Sequence, residues 1–185
     1  MAKKVRRVKK KKQRKVKKPK KQFAKGLLDR NAIYYVLDTE TGGLDPDNNA
    51  IIEIAVAVII NDIIVNRVIY KMYDESKTYM QEALDVNSYT MEEVKTFPPP
   101  QQALREFKDN FLFRYAQAYD DFYVVPVGHN IQFDLKFVNK WFDQCGDEFW
   151  WLSVDDDNAI DTLQLSRSLQ RRELINPPNH KLTTL

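Results

Sequence analysis

The sequence predicts an α/β fold with one mixed sheet, and two patterns lead to this prediction. Three apolar runs follow one another with short polar connections, which is typical of an antiparallel three-strand meander: "AIYYVLD", "AIIEIAVAVII" and "IIVNRVIYKMY". Beyond them, segments with helical periodicity alternate with two further short strands, "YVVPV" and "AID". A meander followed by this alternation indicates parallel strands joined to the same sheet and flanked by helices.

Polar residues and proline set the limits of the strands. Asn61 and Asp62 form the polar turn between the second and third runs. Pro126 lies inside the fourth strand and has no amide proton to donate to a ladder. We therefore expect this strand to lie at an edge of the sheet or to end irregularly.

Capping signals and periodicity predict the helices. Thr90 and Glu93, three residues apart, form a capping box within residues 82–94. Asn130 is expected to cap a later helix that has an apolar stripe. Between them, "FPPP" precedes "QALREFKDNFLFRYAQAY", which predicts a helix whose core-facing side chains recur at helical spacing: Leu104, Phe107, Phe111 and Tyr115.

The composition indicates one folded unit inside a cell. With 185 residues and 43% hydrophobic residues, the chain can bury one substantial core. Its longest apolar run is interrupted by Glu53 and is too short to span a bilayer, and its charged start is not a signal peptide. The single cysteine, Cys145, excludes an internal disulfide. We expect no membrane contact and a cytoplasmic location, or a nuclear one in a eukaryote.

Residues 1–30 are predicted to form a disordered Lys/Arg-rich tail, and residues 31–185 the folded domain. Residues 1–25 hold 15 of the 29 Lys and Arg residues and no acid, which leaves 14 basic against 26 acidic residues in the remainder. A flexible polycation binds phosphates without reading sequence, so nucleic acid is the expected partner. A nuclear-localisation signal, an RNA-binding tail of another purpose and a solubility device are the alternatives.

Two carboxylates stand at the end of the first strand, in "YVLDTETGGLDP". Because side chains alternate along a strand, Asp38 and Glu40 are expected on one face. Such neighbours repel each other and lose hydration, which raises at least one pKa unless a cation neutralises the pair. Oxygen ligands without Cys or His favour a hard divalent cation such as Mg²⁺ or Mn²⁺. A strand end with solvated acids is the alternative.

A third acid, Asp134, interrupts the apolar face of the helix that follows Asn130. In the first helical turn, a carboxylate interacts favourably with the helix dipole. Pure capping is therefore the alternative to a functional role.

Three motifs carry a resemblance that covers residues 32–185. They are "DTETGGL" after the first strand, "GHNIQFD" at the start of a later helix, and "IDTLQLSRSL" followed by "NHKLTTL". Together they resemble the DnaQ-like, or DEDD, family of 3′-to-5′ exonucleases, which includes the proofreading epsilon subunit of bacterial DNA polymerase III. The resemblance implies a ribonuclease H-like fold and hydrolysis of nucleic-acid phosphodiester bonds from the 3′ end.

The resemblance also implies a site. Asp38, Glu40 and Asp134 are identified with the family's catalytic metal ligands, which hold two Mg²⁺ or Mn²⁺ ions at the scissile phosphate. Leu44 is similar to the apolar wedge against the terminal base. The substrate-binding residues that the resemblance implies are Thr41, Gly42, Leu44 and Asn130.

One part of the family pattern is missing from this sequence. The family also has a fourth aspartate and, before it, a His or Tyr general base. His180 is the only histidine after Asp134, and Leu185 stands where that aspartate is expected. We therefore expect a chain that stops before its third catalytic motif, as a truncated or interrupted reading frame, a cloned fragment or a catalytically impaired protein. A substitute base would be sought among Asp155, Asp156, Asp157 and Asp161.

Two functions stay open on this basis. The first is a metal-dependent 3′-to-5′ exonuclease, impaired in this chain. The second is a non-catalytic nucleic-acid-binding or polymerase-associated module. The implied partners are single-stranded 3′ ends of DNA or RNA and, through the resemblance, a DNA polymerase.

Overall fold

The computed structural model describes residues 32–112, 123–147 and 158–175. The predicted basic tail and the segment "NHKLTTL" lie outside these residues, as do Asp155, Asp156 and Asp157. The predicted division into tail and domain therefore stays a prediction.

A five-stranded mixed sheet organises the described residues. The first three strands pair antiparallel, and the last two run parallel to the first. This arrangement confirms the predicted α/β fold, in which a three-strand meander is followed by parallel strands. The sheet order is β3-β2-β1-β4-β5, with β1 Ala32–Thr41, β2 Ile51–Ile60, β3 Ile63–Lys71, β4 Tyr123–Gly128 and β5 Ile160–Asp161.

The edge position predicted for β4 is wrong, because β4 lies between β1 and β5. Pro126 pairs with Tyr35 of β1, whereas β5 pairs only with Val127 and Gly128. At Pro126, the side of β4 away from β1 therefore has no partner strand among the described residues. On that side a missing amide proton would break no ladder bond, so an inner strand can accommodate a proline whose nitrogen points there.

The helices within the described ranges are α1 Gln81–Asn87, α2 Met91–Val94, α3 Pro100–Phe107, α4 Ile131–Gln144 and α5 Thr162–Arg171. The predicted capping box of Thr90 and Glu93 is confirmed at α2. None of these helices is long and apolar enough to cross a membrane.

Helix α3 begins two residues earlier than predicted, because proline is favourable in the first helical turn. It continues as a π-helix over Lys108–Leu112. Leu104 and Phe107 are buried, as their spacing predicts. Tyr115 and the side chain of Phe111 lie outside the described part of the chain.

The core joins one face of the sheet to α3 and α4. Phe107 of α3 contacts Trp141 and Phe142 of α4 edge to face, with ring centroids 5.6 and 6.0 Å apart. Full burial of a large apolar side chain stabilises a fold by roughly 1.5–3 kcal/mol. This packing fixes α4 against the sheet and places its first turn, with Asp134, beside the end of β1.

Candidate active site

Strand β1 carries Asp38 and Glu40 on one face and the buried Thr39 and Thr41 on the other. Asp38 is exposed and Glu40 is half-buried. The two carboxylates share a face, as the strand period predicts. The register between β1 and β2 shifts after Glu40, and an irregularity of this kind bends a strand and re-aims its side chains.

Asp134 is tied to the same strand end by Thr39. Its Oδ1 accepts one hydrogen bond from the main-chain N of Thr39, at 2.9 Å, and another from the Thr39 hydroxyl, at 2.7 Å. Asp134 is only 4% exposed, so these bonds satisfy a carboxylate that has lost most of its water. The first turn of α4 is thereby fixed to the end of β1.

Partial loss of hydration is the largest cause that raises the pKa of each of the three carboxyl groups, even for Asp38, whose side chain still reaches solvent. For Asp38, the charge of Glu53 adds to burial. For Glu40, the charges of Asp38, Glu53 and Asp134 add to it. The pKa of Asp134 rises to about 6, because burial outweighs the hydrogen bonds from Thr39, which lower it. The end of β1 is therefore a site where negative charges gather and repel.

The donor chemistry of these residues fits a divalent cation. Carboxylate oxygens are the ligands that hard cations prefer, and a dication would relieve the repulsion among Asp38, Glu40 and Asp134. The arrangement is not a finished ligand set, since the described residues contain no group of three His, Cys, Asp or Glu side chains placed to hold a metal ion. Charge and donor type fit the predicted Mg²⁺ or Mn²⁺, whereas the ligand geometry is not preformed.

A cleft of about 690 Å³ lies against the end of β1. Two of its apolar side chains are strongly exposed, Leu44 at 82% and Val86 at 83%. Exposed apolar side chains that line one cleft mark a binding surface. Asp38, Asp134 and Asn130 do not line it. Its lining includes Thr39, Glu40, Thr41, Leu44, Met80, Ala83, Val86, Asn87 and Phe133.

The backbone around Gly42 is packed closely against the segment that leads into α1. A Cβ on Gly42 would lie 2.9 Å from the carbonyl oxygen of Thr78 and 3.0 Å from the ring of Tyr79. The carbonyl of Gly42 also accepts a hydrogen bond from the main-chain N of Met80, at 2.7 Å. Asn87 donates to the carbonyl of Thr41 at 2.9 Å. These contacts hold α1, and with it one wall of the cleft, to the end of β1.

Asn130 precedes α4 as predicted, but its side chain makes no capping hydrogen bond. Its main chain has a left-handed conformation, with φ 64°, and its main-chain N donates to Oδ1 of Asp161 at 3.0 Å. The same Asp161 oxygen accepts from the main-chain N of Leu163 and Gln164 and so caps α5. Asp161 is thus a cap that joins the starts of two helices through one carboxylate oxygen.

Residues 35–184 match the model of the exonuclease family RNase T. The chain belongs to this family. This match confirms the predicted membership of the DnaQ-like exonucleases. The solved structures that resemble the chain confirm the predicted ribonuclease H-like mixed sheet.

Similar curated sequences are PolC-type DNA polymerases III. The chain is 32% identical to that of Streptococcus suis over 139 residues, which are 75% of this chain and 8% of the polymerase. It is 31% identical to that of Halalkalibacterium halodurans over 152 residues, which are 82% of this chain and 9% of the polymerase. This exonuclease chain therefore spans less than a tenth of the length of these relatives.

Similar solved structures are those of exonuclease I. Apo exonuclease I has a TM-score of 0.66 at 19% identity, over 84% of this chain and 36% of that one. E. coli exonuclease I in complex with a dT13 oligonucleotide has a TM-score of 0.66 at 18% identity, over 83% and 35% of the two chains. At this identity, the likeness establishes the fold.

Two neighbours of the candidate site were missed by the sequence interpretation. Thr39 stands inside the first motif, but its bond to Asp134 joins residues 95 positions apart, and no local pattern indicates it. Glu53 is a charged residue inside the otherwise apolar run of β2, and this interruption could have indicated a functional neighbour of the site. It pairs in register with Glu40.

Proposed function

We propose that this chain is a 3′-to-5′ exonuclease domain that hydrolyses the terminal phosphodiester bond of single-stranded nucleic acid. The observation that carries the proposal is that Asp38, Glu40 and Asp134 lie near enough at the end of β1 for their charges to repel, next to a cleft with an apolar wall. Its family membership supplies the reaction class. Asp38, Glu40 and Asp134 are the proposed catalytic residues.

The same carboxylates are proposed to hold a pair of Mg²⁺ or Mn²⁺ ions. Two such ions stabilise the charge that develops on the attacking and leaving oxygens of an in-line displacement. Thr39 positions one oxygen of Asp134 through its two hydrogen bonds. Glu40 lines the cleft and brings its carboxylate to the place where the substrate enters.

The cleft is proposed to bind the nucleotide at the 3′ end. Leu44 and Val86 offer apolar contact to a base, and Phe133 adds an aromatic surface on which a base stacks. The closely packed backbone at Thr41 and Gly42 lies on the side toward the carboxylates, where the 3′ hydroxyl is proposed to bind. Asn130 is proposed to contact substrate from outside this cleft.

A second function is favoured by the contacts that engage His129 and Asp161 within the described ranges. The ring of His129 contacts the Thr162 hydroxyl, with Nδ1 and Oγ1 3.1 Å apart, and Asp161 is a helix cap. A domain with the cleft but no group to accept the proton of the attacking water would bind a 3′ end without cleaving it. We therefore propose low activity for this chain alone, since general-base catalysis typically contributes roughly 100- to 10,000-fold.

The partners and location follow from the same proposal. The relatives are bacterial DNA polymerases, and a structural neighbour holds a DNA oligonucleotide, which favours DNA over RNA and a DNA polymerase as partner. Replication in a bacterium takes place in the cytoplasm. Residues 1–30 are proposed to act as a nucleic-acid tether beside the domain, because they are rich in Lys and Arg.

Digestion of a 5′-labelled DNA single strand with Mn²⁺ tests the function. Stepwise shortening from the 3′ end that Glu40→Ala abolishes would support the exonuclease, and slow turnover would fit the proposed low activity. Tight binding of the strand without shortening, in a protein that melts cooperatively, would favour the binding module. A strand that is neither bound nor shortened would contradict both functions.

A further inference from the structure

A row of charged side chains crosses the sheet beside the candidate active site. Glu53 of β2 is the register partner of Glu40 on β1 and of Lys71 on β3. Residues paired in this way project their side chains to the same face of a sheet. Glu40, Glu53 and Lys71 therefore stand side by side on the face that carries Asp38.

Glu53 is held in place by two partners. Its Oε2 lies 3.6 Å from Nζ of Lys71 and accepts a hydrogen bond from the hydroxyl of Tyr89. Nζ of Lys71 lies over two rings, 5.0 Å from the ring centroid of Tyr89 and 5.2 Å from that of Phe97. A cation over aromatic faces is attracted by the ring electrons, so Lys71 is fixed as well. The carboxylate of Glu53 therefore has a defined position.

Glu40 and Asp38 are not held in this way within the described ranges, although the nearby His129 lowers the pKa of Asp38. Among the described residues, neither carboxylate forms an ion pair with a Lys, Arg or His side chain. Like charges directly opposite each other on neighbouring strands destabilise a sheet, and Glu53 stands directly opposite Glu40. The same charge that is unfavourable in the cation-free protein attracts a dication to its neighbours. The repulsion between Glu53 and Glu40 destabilises the cation-free sheet, and the same charges stabilise a bound dication.

We propose that Glu53 is a positioning residue of the candidate cation site: fixed by Lys71 and Tyr89, it keeps a further negative charge beside Asp38 and Glu40 and so strengthens their binding of a divalent cation. The inference rests on the proposed metal dependence of Asp38 and Glu40. In this proposal Glu53 acts through its charge beside these two residues, while Lys71 and Tyr89 hold its Oε2.

Calorimetric titration of Mn²⁺ into the full chain at pH 7 tests this inference. Glu53→Gln removes the charge and keeps an oxygen that accepts the Tyr89 hydrogen bond. Asp62→Asn is the matched control, because it removes the same charge from the far end of the β2–β3 hairpin, about 30 Å away at the rise of a strand. Asn tolerates the left-handed conformation of Asp62, with φ 65°.

Glu53→Gln is expected to weaken Mn²⁺ binding about tenfold, which is the effect of one charge at a strand spacing from a dication in a water-like dielectric. Asp62→Asn should change the affinity less than about twofold, because solution ions screen a charge at that distance. Tyr89→Phe keeps the charge and removes one of the two partners that hold the carboxylate. It should weaken binding by roughly two- to threefold, which a purely electrostatic role of Glu53 would not produce.

Each outcome has a defined meaning. Equal affinities for Glu53→Gln and Asp62→Asn, with binding lost in Asp38→Ala, would overturn this inference and leave the proposed cation site standing. A wild-type chain that binds no Mn²⁺ would overturn both. If Glu53→Gln fails to melt cooperatively, Tyr89→Phe decides, and an unchanged affinity in that variant would overturn the positioning role.

Discussion

The hydroxyl and the main-chain N of Thr39 both donate to one oxygen of Asp134, at 2.7 and 2.9 Å. This pair joins the end of β1 to the first turn of α4 and fixes the third acid of the candidate site. Because Asp134 is almost fully buried, the two bonds replace water that the carboxylate has lost. The position and the charge of Asp134 therefore depend on Thr39, which is itself not a candidate ligand.

Removal of the Thr39 hydroxyl should destabilise the fold and the charged form of Asp134 together. Thr39→Val is expected to lower the free energy of unfolding by about 1–2 kcal/mol, because a hydrogen bond to a charged acceptor is lost. Urea unfolding at pH 7 measures this. Thr41→Val is the control, since the Thr41 hydroxyl donates to a neutral carbonyl, that of Gly43. An equal loss in both variants would contradict a special role for the Asp134 bond.

The raised pKa of Asp134 should make the cation-free protein lose stability as pH rises from about 4 to 6. The unfolded carboxyl releases its proton near its ordinary pKa of 3.8, whereas the folded one holds it to about 6. Over this window the folded state binds more protons, so unfolding becomes easier as pH rises, by roughly 2–3 kcal/mol for this group. Above the window, the difference is constant.

Asp134→Asn provides the check for this pH dependence. Asparagine keeps an oxygen that accepts both Thr39 bonds and cannot titrate. Urea unfolding in EDTA at several pH values should show the variant gaining stability relative to wild type between pH 4 and 6. Parallel stability curves for the two proteins would show that Asp134 has an ordinary pKa.

Divalent cations should bind through the β1 acids. Mn²⁺ should give a measurable calorimetric isotherm with wild type and a much weaker one with Asp38→Ala, because a charge that attracts the dication is removed. Binding should be weak even in wild type, since the ligand geometry is not preformed. Asp109→Ala, in the π-helix outside the cleft, serves as the control. Identical isotherms for wild type and Asp38→Ala would refute the assignment.

Leu44 should contribute to substrate binding and little to stability. Because 82% of its surface is exposed, Leu44→Ala should change the free energy of unfolding by less than about 0.5 kcal/mol. The affinity for a DNA single strand should fall a few fold as apolar contact with the terminal base is lost. Leu174→Ala removes a comparably exposed leucine outside the cleft. Equal affinities for the two variants would argue against a base-binding wall.

The basic tail should supply most of the nonspecific affinity for nucleic acid. Neutralised phosphates release counterions, so deletion of residues 1–25 should flatten the plot of log affinity against log salt concentration. A tail of equal length with its Lys and Arg residues replaced by Gln separates charge from length. If the slope stays unchanged in both variants, the tail is not the tether.

Local patterns were sufficient to predict the strands, the capping box of α2 and the shared face of Asp38 and Glu40. Strand period, the turn at Asn61 and Asp62, and the capping box at Thr90 each depend on residues a few positions apart. The family also followed from short motifs. These signals persist because local sterics and hydrogen bonds are the same in every fold.

Tertiary structure alone decided which distant residues meet. It placed Pro126 in an inner strand, since the order of strands in a sheet depends on long-range packing rather than on one residue's missing proton. It joined Thr39 to Asp134, set Glu53 opposite Glu40, and gave Asp161 to a helix cap. Burial then raised the pKa values of the site carboxyls, because desolvation depends on how the whole chain closes around a group.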